Sequence, residues 1–354
     1  MKEEITLISL DKQNMKEINY LKKADKVYLV APSFGCTLTP YKERLENAIK
    51  VFKDLGYEVI EGKNIYLQKG HVRSNTEKEC AKEIMSAFES DAKVIFSVGG
   101  GETMIEILEY VNFSRINKLP PKLFIGFSDN TNLTFLLTIL TNQVSVYGPC
   151  FPTFGNEIMS RPCLDTLDLI TNKVNKIKGY PRWNKYSNHD FTLLNPLKEL
   201  PLESKSKLAL INSKEFNVKG IMLGGCLDIL TLLCGTKYDK VKEYIEKYKD
   251  EGIIWYLEAC DLSPLGIERS LFQLKEAGWF KHSKGFIFGK PLHYDEKQFN
   301  VDRKKAVTHT LKKLKLPIVL DVSLGHYNPS LPILNGKKAN CKVIDNELEI
   351  EYLD

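Results

Sequence analysis

Three short runs, residues 26–31 (KVYLVA), 93–98 (KVIFSV) and 122–127 (KLFIGF), are apolar at successive positions instead of alternate ones. Strands of that kind bury both faces. A parallel sheet covered by helices on either side uses both faces, and a sheet with one solvated face does not. The intervening segments agree. Tyr41, Leu45, Ala48, Ile49, Phe52 and Leu55 recur at helical spacing, and Gly56 stops that helix before a strand at 58–60. Residues 74–77 (SNTE) resemble a capping box opening a helix through Phe88. Further helices are expected over about 130–140 and 158–172. Residues 1–173 therefore read as an N-terminal doubly wound α/β domain with a parallel sheet. Ligands in such sheets sit beyond the carboxyl ends of the strands.

The pattern breaks over 174–205, where NKVNKIKGYPRWNKYSNHD is basic, aromatic and non-periodic. This stretch is expected to be a linker or exposed loop region. A C-terminal, β-rich α/β domain follows over 206–354. Its strands are expected near 207–211, 218–223, 253–257, 285–288 and 317–320, with a hairpin over 339–352. Helices are expected after Gly224-Gly225, from Ser263-Pro264 through Ala277, and over 301–315. A chain of 354 residues suits two domains of this size.

Composition excludes several classes. Fifty Lys and Arg against 45 Asp and Glu leave +5, interspersed along the chain, which is no footprint for a nucleic-acid polymer. Apolar runs such as 133–140 fall far short of the ~20 residues a membrane helix needs. The first residues, MKEEITLISLDKQ, lack a signal-peptide core, so a cytoplasmic location is expected. The eight cysteines form no CxxC pair and none lies near a histidine at zinc-finger spacing, so reduced, buried thiols are expected.

Three segments carry candidate chemistry. In Gly126-Phe127-Ser128-Asp129-Asn130-Thr131 a serine joins an apolar strand to a helix N-terminus, where backbone N–H groups favour negative charge. That is the setting of a nucleophile elbow, although Asn130 stands where GxSxG has its last glycine. Ser128 or Asp129 serving only as an N-cap is the alternative. Ser97-Val98-Gly99-Gly100-Gly101-Glu102-Thr103 is a second strand–helix turn. Its glycines can present N–H donors to an oxyanion or a phosphate, or simply make a tight turn. The third is a pair. Glu258 ends the IIWYL strand and needs a partner if buried. His326, on an irregular loop between Gly325 and Pro329, has the pKa range of a general base. A plain salt bridge and a surface-loop histidine are the alternatives. Together the segments supply nucleophile, oxyanion donors, base and orienting acid.

These residues resemble the serine peptidases that include the LD-carboxypeptidases of murein recycling and the microcin C immunity proteins. The family's Gly-Tyr-Ser-Asp stands here as Gly126-Phe127-Ser128-Asp129. Gly99-Gly100, Leu257-Glu258 and Gly325-His326 match its other motifs in order, as do Gly224-Gly225 with Leu227 and Gly235-Thr236. The resemblance runs from about Lys26 to Cys341. It implies Ser128 as nucleophile, His326 as base, Glu258 as orienting acid, and the amides of Gly100 and Asp129 as the oxyanion hole. It also implies two domains, often in a homodimer, with no metal or cofactor. Two departures bear on substrate. Cys226 and Asp228 stand where the family often has Asn and Ser, and Gly101-Glu102-Thr103 differs from either branch.

Length and the aromatic segment resemble the microcin immunity branch, which implies cleavage of a peptidyl- or aminoacyl-nucleotide amide. An aromatic ring suits such a ligand, and Trp183 is the candidate, with packing as an ordinary loop aromatic the alternative. The other branch implies release of D-alanine from a murein tetrapeptide. Outside this chemistry stand a nucleotide-binding phosphotransferase built on Gly99-Gly100-Gly101 and a catalytically silent binding protein.

Overall fold

The doubly apolar runs lie side by side, all parallel. In the computed structural model, which describes residues 14–70, 72–185 and 189–353, the chain divides into two units. One is Met1–Val174 with Tyr186–Pro201, the other Asn175–Lys185 with Leu202–Asp354. Residues 1–13, on which the leader reading rests, lie outside the described residues.

In the first unit the elements are β1 (Lys26–Val30), α1 (Tyr41–Asp54), β2 (Glu58–Glu61), α2 (Glu77–Glu89), β3 (Val94–Ser97), α3 (Met104–Ile107), α4 (Phe113–Lys118), β4 (Leu123–Gly126), α5 (Thr131–Thr141), β5 (Ser145–Tyr147), α6 (Arg161–Ile170) and α7 (His189–Leu194). The strands bond in the order β5-β4-β3-β1-β2. Every residue of β3 and β4 is buried, as strands apolar at successive positions require. The predicted face of α1 (Leu45, Ala48, Ile49, Phe52) is the buried one. Phe52 packs its ring on Phe96, Phe151 and Phe154 at centroid distances of 5.5, 4.6 and 5.3 Å. Phe52→Ala is expected to cost about 3–5 kcal/mol, read as a lower urea midpoint at unchanged slope. A loss below about 1 kcal/mol would mean the cluster collapses into the space instead of keeping a cavity.

One cap differs from expectation. The N-cap of α2 is Thr76, whose hydroxyl accepts from the Glu79 amide at 3.4 Å. Ser74 is buried and donates to the Ala31 carbonyl at 2.6 Å. The capping serine or threonine of an S/T-x-x-E pattern therefore falls two residues later than the sequence suggested, because Ser74 is drawn into the end of β1.

In the second unit the elements are β6 (Lys176–Lys178), β7 (Arg182–Trp183), β8 (Ser204–Lys205), β9 (Ala209–Ile211), β10 (Asn217–Cys226), α8 (Leu227–Leu233), α9 (Val241–Lys247), β11 (Ile253–Glu258), α10 (Pro264–Glu276), β12 (Ser283–Gly289), α11 (Arg303–Leu311), β13 (Ile318–Val322), β14 (Ile333–Asn335), β15 (Lys338–Ile344) and β16 (Glu347–Tyr352). Eight strands bond in the order β6-β16-β15-β10-β11-β12-β13-β9. The inner four, β10 to β13, are parallel, and the flanking strands run antiparallel. This is the β-rich α/β half, with the hairpin where it was expected.

The segment expected as a linker carries structure. In β6 Ile177 is buried opposite Ile350 while Lys176 and Lys178 pair with Glu349. A three-residue strand leaves no periodicity to read, so the sequence did not show it. β7 and β8 form a two-stranded ribbon.

Candidate active site

The serine turn is built by its neighbours. β4 ends at Gly126, and a single 3-10 turn, Ser128–Asn130, leads into α5. Ser128 has φ +62°, the left-handed region that costs a side-chain-bearing residue about 1–2 kcal/mol. A sharp strand-to-helix elbow imposes that conformation on its nucleophile. The Ser128 amide donates to the Tyr147 hydroxyl at 3.2 Å. Asn130, at the position that departs from GxSxG, donates its carboxamide N–H groups to the Gly99 and Phe127 carbonyls at 2.9 and 3.0 Å. It thereby ties the glycine turn to the elbow.

Gly100 lies directly against the serine. A Cβ there would stand 3.3 Å from the Ser128 Cβ and 3.5 Å from its Oγ. Its carbonyl accepts from the Phe34 amide at 3.0 Å. Among the described residues, neither the Gly100 amide nor the Asp129 amide meets an acceptor. Two uncommitted N–H groups on either side of an elbow serine are what an oxyanion hole requires.

The N-cap alternative holds for neither residue: neither side chain caps α5. The buried Asp129 carboxylate instead accepts from the Met104 amide at the start of α3 (3.0 Å), from Ser33 Oγ (2.7 Å) and from Asn132 Nδ2 (3.0 Å). Burial pushes its pKa up and these donors hold it back. The side chain is a brace between the two turns, and only its backbone amide remains a candidate donor.

The second unit holds the acid and the histidine together. Glu258, last in β11, is 0% exposed, and its Oε2 lies 3.0 Å from Nδ1 of His326. The approach requires glycine at 325, where φ is +108° and a Cβ would stand 2.6 Å from Glu258 Oε2. Burial alone would depress the imidazole. The Glu258 charge, with hydrogen bonds to Cys260 and Glu258, outweighs it and raises the ring above its ordinary 6.5.

Trp183 lies in the same unit and is only 4% exposed. Its ring contacts Tyr294 and Tyr327 at 5.0 and 4.9 Å, its Nε1 donates to the Lys205 carbonyl at 3.3 Å, and the Lys290 ammonium lies 5.2 Å from its centroid. Tyr327 adjoins His326 and donates to the Leu292 carbonyl at 2.7 Å. Trp183 is thus a buttress of the histidine loop. It offers no open face for stacking on a base.

The structure therefore places Ser128, Gly100 and Asp129 together in the first unit, and Glu258, His326 and Trp183 in the second. No sequence signal marked Asn130 and Tyr147 as the residues that hold the elbow. The departure at Asp228 was visible, and its work is now clear. The Asp228 carboxylate accepts from the amides of Cys260, Asp261 and Leu262, fixing the chain just after Glu258. All eight cysteines are free thiols. Among the described residues no group of three or more His, Cys, Asp or Glu could hold a metal ion, and no helix is long and apolar enough to cross a membrane.

Comparison with known proteins finds relatives for both halves of the chain. Residues 27–148 match the LD-carboxypeptidase N-terminal domain and residues 219–341 the LD-carboxypeptidase C-terminal domain. The chain is 26% identical to the microcin C7 self-immunity protein MccF of Escherichia coli over 90% of each chain. It is 24% identical to the probable murein peptide carboxypeptidase of Bacillus subtilis (strain 168), over 94% of this chain and 93% of the relative. It also shares its fold with the structure of MccF in complex with glutamyl sulfamoyl guanosine, with a TM-score of 0.78 and 22% identity over 95% of this chain and 98% of that one.

Proposed function

The chain belongs to the LD-carboxypeptidase family of serine peptidases, and from that premise we propose that this carboxypeptidase hydrolyses its amide through Ser128, His326 and Glu258. The observation that carries the reading is the Glu258–His326 pair at 3.0 Å, with the carboxylate fully buried. A phosphotransferase or a silent binding protein has no use for a buried carboxylate spent on orienting one imidazole.

His326 takes the proton of Ser128 as Oγ attacks the carbonyl carbon. The amides of Gly100 and Asp129 receive the oxyanion, each worth roughly 3 kcal/mol. Glu258 holds the tautomer and stabilises the imidazolium. His326 then protonates the leaving amine, the acyl-enzyme forms, and water attacks it by the reverse proton path.

The raised pKa of His326 gives a pH dependence. The neutral base is gained only as pH rises, so kcat/KM should climb along a limb whose midpoint lies above the ordinary 6.5. Glu258→Gln should move that midpoint down. A wild-type limb at or below 6.5 would contradict control by the Glu258 charge. Stability runs the other way. The proton is held more tightly by the folded chain, so its contribution is complete below the unfolded value near 6.5 and is lost as pH rises through the raised folded value.

For substrate we favour a peptidyl- or aminoacyl-nucleotide amide, supported by likeness to MccF along 90% of both chains. The burial of Trp183 favours a second reading, a murein tetrapeptide losing D-alanine, because no open tryptophan face is left for a base. A homodimer in the cytoplasm, acting without metal or cofactor, completes the proposal. The deciding experiment is mass-spectrometric turnover of an LD-linked murein tetrapeptide and of a peptidyl-nucleotide conjugate. Loss of D-alanine alone selects the murein reading, and cleavage of the conjugate selects the nucleotide reading. Cleavage of neither rejects both substrates.

A further inference from the structure

We propose that Asn130 and Ser97 are positioning residues for the oxyanion hole: together they aim and polarise the Gly99–Gly100 peptide unit, whose N–H receives the oxyanion. The proposal rests on Ser128 being the nucleophile and the Gly100 amide a donor to the reacting carbonyl.

A trans peptide is planar, with its carbonyl and its N–H pointing opposite ways. Whatever holds the Gly99 carbonyl therefore sets the direction of the Gly100 N–H. Two side chains hold it. Ser97, the last residue of β3, donates from Oγ at 2.7 Å, and Asn130 donates from Nδ2 at 2.9 Å. Both residues are 0% exposed, so water does not compete for the carbonyl. Such holding matters most at glycine, whose backbone is otherwise free to turn. Hydrogen bonds accepted by a carbonyl also polarise its peptide and strengthen the N–H as a donor.

Asn130 reaches the nucleophile by the same carboxamide. Its Nδ2 also donates to the Phe127 carbonyl at 3.0 Å. That carbonyl shares a peptide unit with the Ser128 amide, which the Tyr147 hydroxyl holds at 3.2 Å. One side chain thus fixes the donor peptide against the nucleophile peptide. Both of its partners are carbonyl oxygens, which only accept, so Nδ2 must face them. Its Oδ1 is left buried without a partner among the described residues. An apolar side chain of similar size would fill the space without that cost, so the donors are what the position uses. Gly126 makes the room: a Cβ there would stand 2.6 Å from Asn130 Cγ.

The test is a nuclear magnetic resonance spectrum of the full chain labelled at glycine with carbon-13 carbonyls and nitrogen-15 amides. Adjacent glycines occur only at 99–100, 100–101 and 224–225, so correlating each carbonyl with the next amide leaves three signals. The last lies in the other unit and serves as the control. Ser97→Ala and Asn130→Leu should each move the Gly99 carbonyl–Gly100 amide signal, the carbonyl upfield, and leave the Gly225 signal in place. Each should also lower kcat by roughly five- to fiftyfold, less than the hundred- to thousandfold of an oxyanion donor lost outright. KM should change little, because the donor acts on the transition state. The substrate is whichever of the murein tetrapeptide and the peptidyl-nucleotide conjugate the wild type cleaves. Ser97→Ala removes a single oxygen, so it keeps the test open if Asn130→Leu fails to fold. A Gly100 signal that stays in place, or one that moves while kcat remains within about twofold of wild type, overturns the proposal. Wild-type turnover by Ser128→Ala overturns instead the mechanism on which it rests.

Discussion

Ser128→Ala should lower kcat by about four to six orders of magnitude, the scale seen when the nucleophile of a triad is removed. Only Oγ is lost. Alanine bears the same left-handed backbone as serine, and the elbow is held through its backbone by the Tyr147 hydroxyl and by Asn130 on the Gly99 carbonyl. The melting temperature should therefore stay within a few degrees of wild type, and substrate affinity should persist. Turnover within tenfold of wild type would remove Ser128 from the chemistry. A phosphotransferase on the glycine turn would show that result together with a requirement for ATP and magnesium.

Glu258→Gln should be nearly as severe, about three to four orders of magnitude in kcat. Glutamine keeps the shape of a side chain that is fully enclosed beside Gly289 and Gly325, where space is tight. What disappears is the negative charge that stabilises the imidazolium and the certainty of tautomer. The loss should fall on kcat with KM much less affected, because the carboxylate meets the histidine and not the substrate. Retention of more than about a tenth of wild-type kcat would reduce Glu258 to a packing residue, a size of effect below any triad member.

The parallel sheet was legible because β3 and β4 are buried at every position, and continuous apolar runs report that directly. The motif positions were legible because strand–turn–helix junctions are local. The roles that escaped depend on pairings distant in sequence. Asp129 steadies the start of α3, 25 residues earlier. Asp228 gathers amides 32 to 34 residues later. Trp183 sits in a stretch without periodicity, and its burial comes from Tyr294 and Tyr327, more than a hundred residues on. No pattern within either segment encodes these partners.

Helix α5 follows directly from the serine turn, and almost all of it is buried, with Thr138 and Thr141 donating their hydroxyls back to the carbonyls one turn earlier. A helix so enclosed has no route to partial fraying. Its amides should exchange with deuterium only when the whole first unit opens, the slowest class of exchange in a domain. The elbow thus inherits the lifetime of the entire fold. Substitutions that weaken the core far from Ser128, Phe52→Ala among them, should accelerate exchange throughout α5 by the same free energy they remove from global stability.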